Sequence, residues 1–180
     1  ANVAMIFMLA IEQDYDEIDM AIRQFQSTIM RMRYSSIPVV LAPHGLALGG
    51  GCEMSLHADK VIAAAETYTG LVEVGIGVIP GGGGTKEFVL RAADEVHEGE
   101  PETLTIQNRF LTIATAKVGT SAYEAFELGI YRKGKDSVCI NTGRRIAEAK
   151  QAVIDLFDKR QGCTDVIRHF PSLLSKTYPA

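Results

Sequence analysis

The chain of 180 residues contains no tryptophan, only six prolines and only three cysteines. Cys52, Cys139 and Cys163 are odd in number and far apart, which argues against a disulfide framework or a zinc knuckle and points to a reducing, cytoplasmic setting. Positive charge is also in short supply: 18 Lys and Arg against 22 Asp and Glu give a formal net charge of −4. These basic residues form no stripe, so no nucleic-acid partner is expected. The apolar start, residues 1–11, is too short to span a bilayer and lacks a basic leader and an initiator methionine. It reads as a piece of core, as do Met5, Met8, Met30 and Met32. His44, His57, His97 and His169 lack ligand spacing, so no metal site is expected.

What the chain does have is glycine, 17 residues of it, gathered in two clusters. The first is Ala47-Leu48-Gly49-Gly50-Gly51-Cys52-Glu53. The second runs from Val72-Glu73-Val74-Gly75 to Pro80-Gly81-Gly82-Gly83-Gly84. A glycine run between an apolar strand and a helix lets backbone amides approach a ligand, because no Cβ intervenes and a helix start leaves N–H groups unpaired. Such amides suit an anionic oxygen. The two carboxylates, Glu53 and Glu73, supply the proton-handling groups that addition or elimination beside a carbonyl needs. Cys52 reads as packing, and Lys86 after Thr85 does not fit a phosphate-binding loop.

At 47% hydrophobic the chain can bury a core, and nothing marks a second domain. Ile18, Ile22, Phe25, Ile29 and Met32 recur at helical spacing and predict an amphipathic helix from Asp16 to about Arg33. Residues 39–42 form an apolar run suited to a strand buried on both faces. A short helix from Gly51 to about His57 and a strand at 60–65 follow. Thr85 is the expected cap of a helix from Lys86 to Ala93. The acidic stretch from Asp94 to Glu102 reads as a solvated excursion, and residues 110–118 as a mixed apolar segment. Ser121 and Glu124 have capping-box spacing, with Gly129 as a stop. Asn141 is the expected cap of a last helix to about Arg160, with Ile146, Ala149, Val153 and Leu156 on one face.

The two glycine clusters, with Pro38-Val39-Val40 before them and the segment Ser121–Ile130 after, resemble the signature of the crotonase, or enoyl-CoA hydratase/isomerase, family from about Asn2 to Arg132. Leu56-His57-Ala58-Asp59 and Gly84-Thr85-Lys86-Glu87 are similar to hydratase domains fused to a 3-hydroxyacyl-CoA dehydrogenase. The resemblance implies an α/β fold, a spiral of repeated strand–strand–helix units assembled as trimers or hexamers, over residues 1–160, with 161–180 an unassigned tail. It implies an acyl-CoA thioester as substrate and no separate cofactor. Residue by residue, Glu53 matches the glutamate that activates water and Glu73 the one that exchanges a proton with the α-carbon. Gly50 matches the amide that binds the thioester oxygen, and Gly81 an amide near the catalytic water. Family isomerases commonly keep only the later acid, so the pair favours hydration over double-bond isomerisation. A non-catalytic assembly module is the reading from another class. Ala1-Asn2 resembles the end of a Gly-Ala-Asp element, so the second oxyanion donor is expected before residue 1. On that reading the chain is the later part of the domain, poorly active alone.

Apolar flanks at Val72 and Val74 are expected to raise the Glu73 carboxyl by desolvation. A helix N-terminus is expected to leave Glu53 the more readily ionised of the two.

Overall fold

The computed structural model describes residues 3–96 and 102–167. His97, His169, the middle of the acidic stretch and the tail from 168 onward lie outside the described residues. The first elements are two helices, α1 (Val3–Glu12) and α2 (Tyr15–Arg33). Asp14 caps α2 by accepting the Glu17 N–H, while Arg31 and Arg33 in its last turn suit the negative end of the helix dipole. Ile29 is fully buried, as the helical spacing predicts, and Phe25 is half-buried. The start of the chain is a helix and not core: Met5, Met8 and Ile11 are 46%, 61% and 81% exposed. A helix that is apolar all round carries more apolar surface than its main neighbour, α2, can cover. Met30 and Met32 lie half-buried on α2.

The centre of the molecule is one unit used twice. Strands β1 (Val40–Leu41) and β2 (Leu46–Leu48) lead into helix α3 (Gly50–His57). Strands β3 (Lys60–Ala64) and β4 (Tyr68–Gly70) lead through a 3-10 turn, Glu73–Ile76, into helix α4 (Gly84–Glu95). Successive units stack as a parallel spiral. Val40 lies opposite Lys60, and Leu46 and Leu48 lie opposite Tyr68 and Gly70. Residues twenty or twenty-two positions apart are thus neighbours across the stack. A fifth strand, β5 (Ser137–Cys139), continues the sheet in the order β1-β3-β5. Asp136 ties it in: one carboxylate oxygen accepts the Val61 N–H and the other the Arg132 N–H.

Leu56 from α3, Val61 from β3, Leu71, Phe88 from α4 and Tyr131 meet in the core, all nearly inaccessible to solvent. Burying a side chain such as Leu56 or Phe88 stabilises the fold by about 1.5–3 kcal/mol. Helices α5 (Glu102–Ala114), α6 (Ala122–Glu127) and α7 (Arg145–Ile167) complete the described chain. No helix among the described residues is long and apolar enough to cross a membrane.

Several local expectations are revised. The strand at 39–42 shortens to the half-buried pair Val40–Leu41. The segment at 110–118 belongs mostly to a helix that begins at Glu102, and the other helix beside it, α4, runs on to Glu95. Ser121 does cap α6 by accepting the Glu124 N–H, but the Glu124 carboxylate takes the Thr120 N–H and hydroxyl, so the box is not closed on Ser121. Gly129 ends that helix at φ 70°. Asn141 caps a 3-10 turn, Thr142–Arg144, rather than α7 itself. Helix α7 buries Ala149 and Ala152, leaves Ile146 54% exposed, and runs past Arg160 to Ile167. Thr85 is exposed and caps nothing: Gly83, at φ 98°, occupies the cap position without a side-chain bond. The reason lies in the site.

Candidate active site

Helix α3 starts at Gly50, after Gly49 turns the chain at φ 55° and donates its N–H to the Gly70 carbonyl. This start places Glu53 in the first turn, with its side chain directed inward and 2% of the residue exposed. One carboxylate oxygen, Oε1, accepts the Gly82 N–H at 2.8 Å and the Gly84 N–H at 2.9 Å. These are unpaired amides at the start of α4. Glu53 therefore caps α4 from thirty residues away, and a local cap at Thr85 has no amide left to serve.

The fit leaves no room for a side chain at Gly82. A Cβ on Gly82 would lie 2.5 Å from Glu53 Oε2 and 2.5 Å from the Phe25 ring. Glu73 makes the reverse journey. It opens the 3-10 turn beside β4, and its Oε1 comes within 3.2 Å of where a Cβ on Gly49 would stand. Its other oxygen, Oε2, is buried without a hydrogen-bond partner. Each glutamate thus packs on the glycine turn that follows or precedes the other, as the twenty-residue register of the spiral requires.

Burial pushes both carboxyls above the usual glutamate range. For Glu53 the Gly84 and Gly82 amides work against that rise. For Glu73 burial is again the main cause, its own and the Val72 amide oppose it, and the nearby charge of Glu53 adds to it. The apolar-flank expectation for Glu73 matches this direction. The helix-start expectation for Glu53 omits the larger effect, because the same turn that supplies amides also removes water. Two acids that sense each other in a partly dry site can hold one proton between them and pass protons to a substrate from two points.

Gly50 stands at the first position of α3, half-buried under Phe25, whose ring tip would lie 3.0 Å from a Cβ there. Gly81 is half-buried, and its carbonyl accepts a hydrogen bond from Gln26 Nε2 at 2.6 Å. Phe25, Gln26 and Ile29 of α2 thus cover both turns, a role that the amphipathic pattern alone does not reveal. His57 and Glu87 are also beyond the sequence reading. His57 lies one helical turn after Glu53, the spacing that marks a shared face, and its Nδ1 donates to the Glu53 carbonyl at 2.7 Å. Its Nε2 faces the buried Glu87 at 3.6 Å, and Lys86 and Arg33 in turn neutralise Glu87. Burial holds His57 below the usual histidine range. Cys52 is fully buried with its thiol pushed up to about 12 by desolvation, in keeping with a packing role. A separate cavity of about 470 Å³, lined by Arg91, Arg109, Tyr131 and Arg132, contains neither glutamate.

Comparison with known proteins agrees with this arrangement. Residues 9–96, which contain both turns and both glutamates, match the sequence profile described as enoyl-CoA hydratase/isomerase. A probable 3-hydroxyacyl-CoA dehydrogenase of Bacillus subtilis is 43% identical over 158 residues, covering 88% of this chain and 20% of that protein. A short-chain-enoyl-CoA hydratase of Clostridium acetobutylicum is 36% identical over 118 residues, covering 65% of this chain and 40% of that protein. The chain therefore spans well under half the length of these relatives. The crystal structure of an enoyl-CoA hydratase from Bacillus anthracis superposes with a TM-score of 0.61 at 27% identity, over 78% of this chain and 47% of that one. The stacked strand–strand–helix units are the crotonase fold, and residues 9–96 carry the sequence signature of the enoyl-CoA hydratase/isomerase family.

Proposed function

We propose that the chain carries the acid–base half of an enoyl-CoA hydratase, adding water across the double bond of a 2-enoyl-CoA thioester. The observation that carries this reading is the crosswise packing of two carboxylates, Glu53 buried and Glu73 half-buried, each on the glycine turn of the neighbouring unit. Glu53 takes a proton from water as the water oxygen bonds to the β-carbon. Glu73 gives its proton to the α-carbon, and its unpartnered Oε2 is the oxygen free to do so. One proton is gained and one lost, so the pair is reset by exchange with solvent after each turnover. The charge that builds on the thioester oxygen falls to the Gly50 amide, a donor worth about 3 kcal/mol in such sites. The Gly81 amide lies beside the attacking water.

Acyl-CoA is the substrate in this reading, and no resident cofactor takes part. The similarity to a dehydrogenase-named relative supports an associated 3-hydroxyacyl-CoA dehydrogenase; a place in fatty-acid β-oxidation and a cytoplasmic home are further parts of the proposal. Assembly as a trimer or hexamer belongs to the same proposal.

The test is kinetic. In the protein, Glu53→Gln and Glu73→Gln are each expected to reduce crotonyl-CoA hydration by more than about 10²-fold while thioester binding persists. Near-normal turnover in either variant would refute the assignment. Product analysis with 2-enoyl and 3-enoyl thioesters separates hydration from isomerisation: conversion of the 3-enoyl substrate alone, without hydration, would overturn the hydratase reading.

A further inference from the structure

Gln26 lies on α2, on the side that faces the tetraglycine turn, and is exposed. Its Nε2 nevertheless reaches across 55 residues to donate to the Gly81 carbonyl at 2.6 Å. That carbonyl belongs to the peptide unit whose N–H is the Gly82 amide. The same Gly82 N–H donates to Glu53 Oε1 at 2.8 Å. Gln26, one planar peptide and the Glu53 carboxylate therefore form a single hydrogen-bonded line. In a peptide unit the C=O and N–H are coupled by resonance, so a donor on the oxygen draws electron density from the nitrogen and strengthens its N–H as a donor. It also fixes the plane of the peptide, and hence the direction in which the Gly82 N–H points. This matters at a glycine run, where no side chain restrains the backbone.

We propose that Gln26 is a positioning residue for Glu53, acting through the Gly81–Gly82 peptide to aim and strengthen the amide that holds its carboxylate. It touches no reacting atom. The inference rests on the hydratase reading only for its kinetic part; the electrostatic part concerns Glu53 alone. The other charged or titratable groups near this carboxylate, Glu73 from the second turn and His57 from α3, are unchanged by a substitution at Gln26, so the response can be assigned to the line itself.

The experiment compares Gln26→Met, which keeps the length of the side chain but has no donor, with Gln26→Ala. Glu53 is titrated directly by carboxyl-carbon NMR on selectively labelled protein, and hydration rates are measured against pH. Loss of the donor weakens the Gly82 N–H toward the anion, so the Glu53 titration is expected to move upward by about 0.3 pH units or more in both variants. The acidic limb of the rate profile should move with it, kcat should fall about tenfold, and KM should stay close to its original value. If Gln26 merely packs, Met behaves as the parent and only Ala moves, which overturns the proposal. An unchanged Glu53 titration in both variants overturns it as well. Should no hydration occur in any variant, the NMR shift still decides the role of Gln26, while the activity reading falls separately.

Discussion

The two glycine turns share a sequence style and a place in the repeated unit, yet they use their amides differently. In the second turn the Gly82 and Gly84 N–H groups are both committed to Glu53. In the first, Gly49 donates to the strand at Gly70, and Gly50 opens helix α3. The second turn binds its carboxylate through backbone amides, whereas the first packs against Glu73 while its Gly49 amide serves the strand. The lesson is that glycine richness marks where backbone comes close, whereas the three-dimensional register decides to what. A cluster of four glycines looks like the stronger ligand site on paper, but it is the one already occupied.

This contrast can be broken most severely at Gly82. A Cβ there would stand 2.5 Å from Glu53 Oε2 and 2.8 Å from Ile29. Gly82→Ala is expected to reduce hydration by about 10²- to 10³-fold and to cost about 1–3 kcal/mol in denaturant unfolding. Near-parental activity with intact stability would mean that the second turn is not a closed cradle for Glu53.

A second test uses pH to separate the glutamates from the scaffold. Burial raises the Glu73 carboxyl above its ordinary value of 4.5, so the native state holds that proton more tightly than the unfolded chain does. The stability linked to it is fully present below the ordinary value and is lost as pH rises through the raised one. Glu73→Gln is therefore expected to melt higher than the parent at pH 8, with the advantage vanishing at pH 4. Calorimetry at both pH values checks the sign; an advantage confined to acid pH would contradict a buried, raised Glu73.

How much of this was legible from sequence varies by element. The helix from Tyr15 to Arg33 declared itself because Ile18, Phe25 and Ile29 follow a helical period, and the two glutamates stood out beside their glycines. The capping of α4 by Glu53 was not legible, since local rules nominate Thr85, the nearest hydroxyl. Only the parallel pairing of β1 with β3 and β2 with β4 reveals that a carboxylate thirty residues back arrives first. Gln26 was hidden for the same reason: on α2 it reads as one more polar residue on a solvated face. The start of the chain misled because apolar composition indicates what a segment prefers, not how much neighbouring surface is on hand to cover it.

Smaller effects sharpen the comparison from the side of the scaffold. Ser121→Ala removes the hydroxyl that accepts the Glu124 N–H and is expected to cost about 1 kcal/mol in urea unfolding with activity retained. The smallest change is the most instructive. Gly51 has only the Ala47 methyl near its missing Cβ, at 4.0 Å, and a helical backbone. Gly51→Ala is expected to stabilise the chain by about 0.4–1 kcal/mol, visible as a raised urea midpoint, with hydration unchanged. A destabilised Gly51→Ala protein would show that the first turn is as tightly filled as the second.

The parallel stacking of the two units also governs when the site comes into being. Parallel neighbours cannot be joined by a tight hairpin, so each pairing closes a loop of about twenty residues before any contact repays the entropy spent. Glu53 has no amides to hold it until the second unit is laid down, and Glu73 has no floor until the first is in place. A nascent or partly unfolded chain thus contains neither glutamate in its final setting. The two acids come together only with the spiral itself.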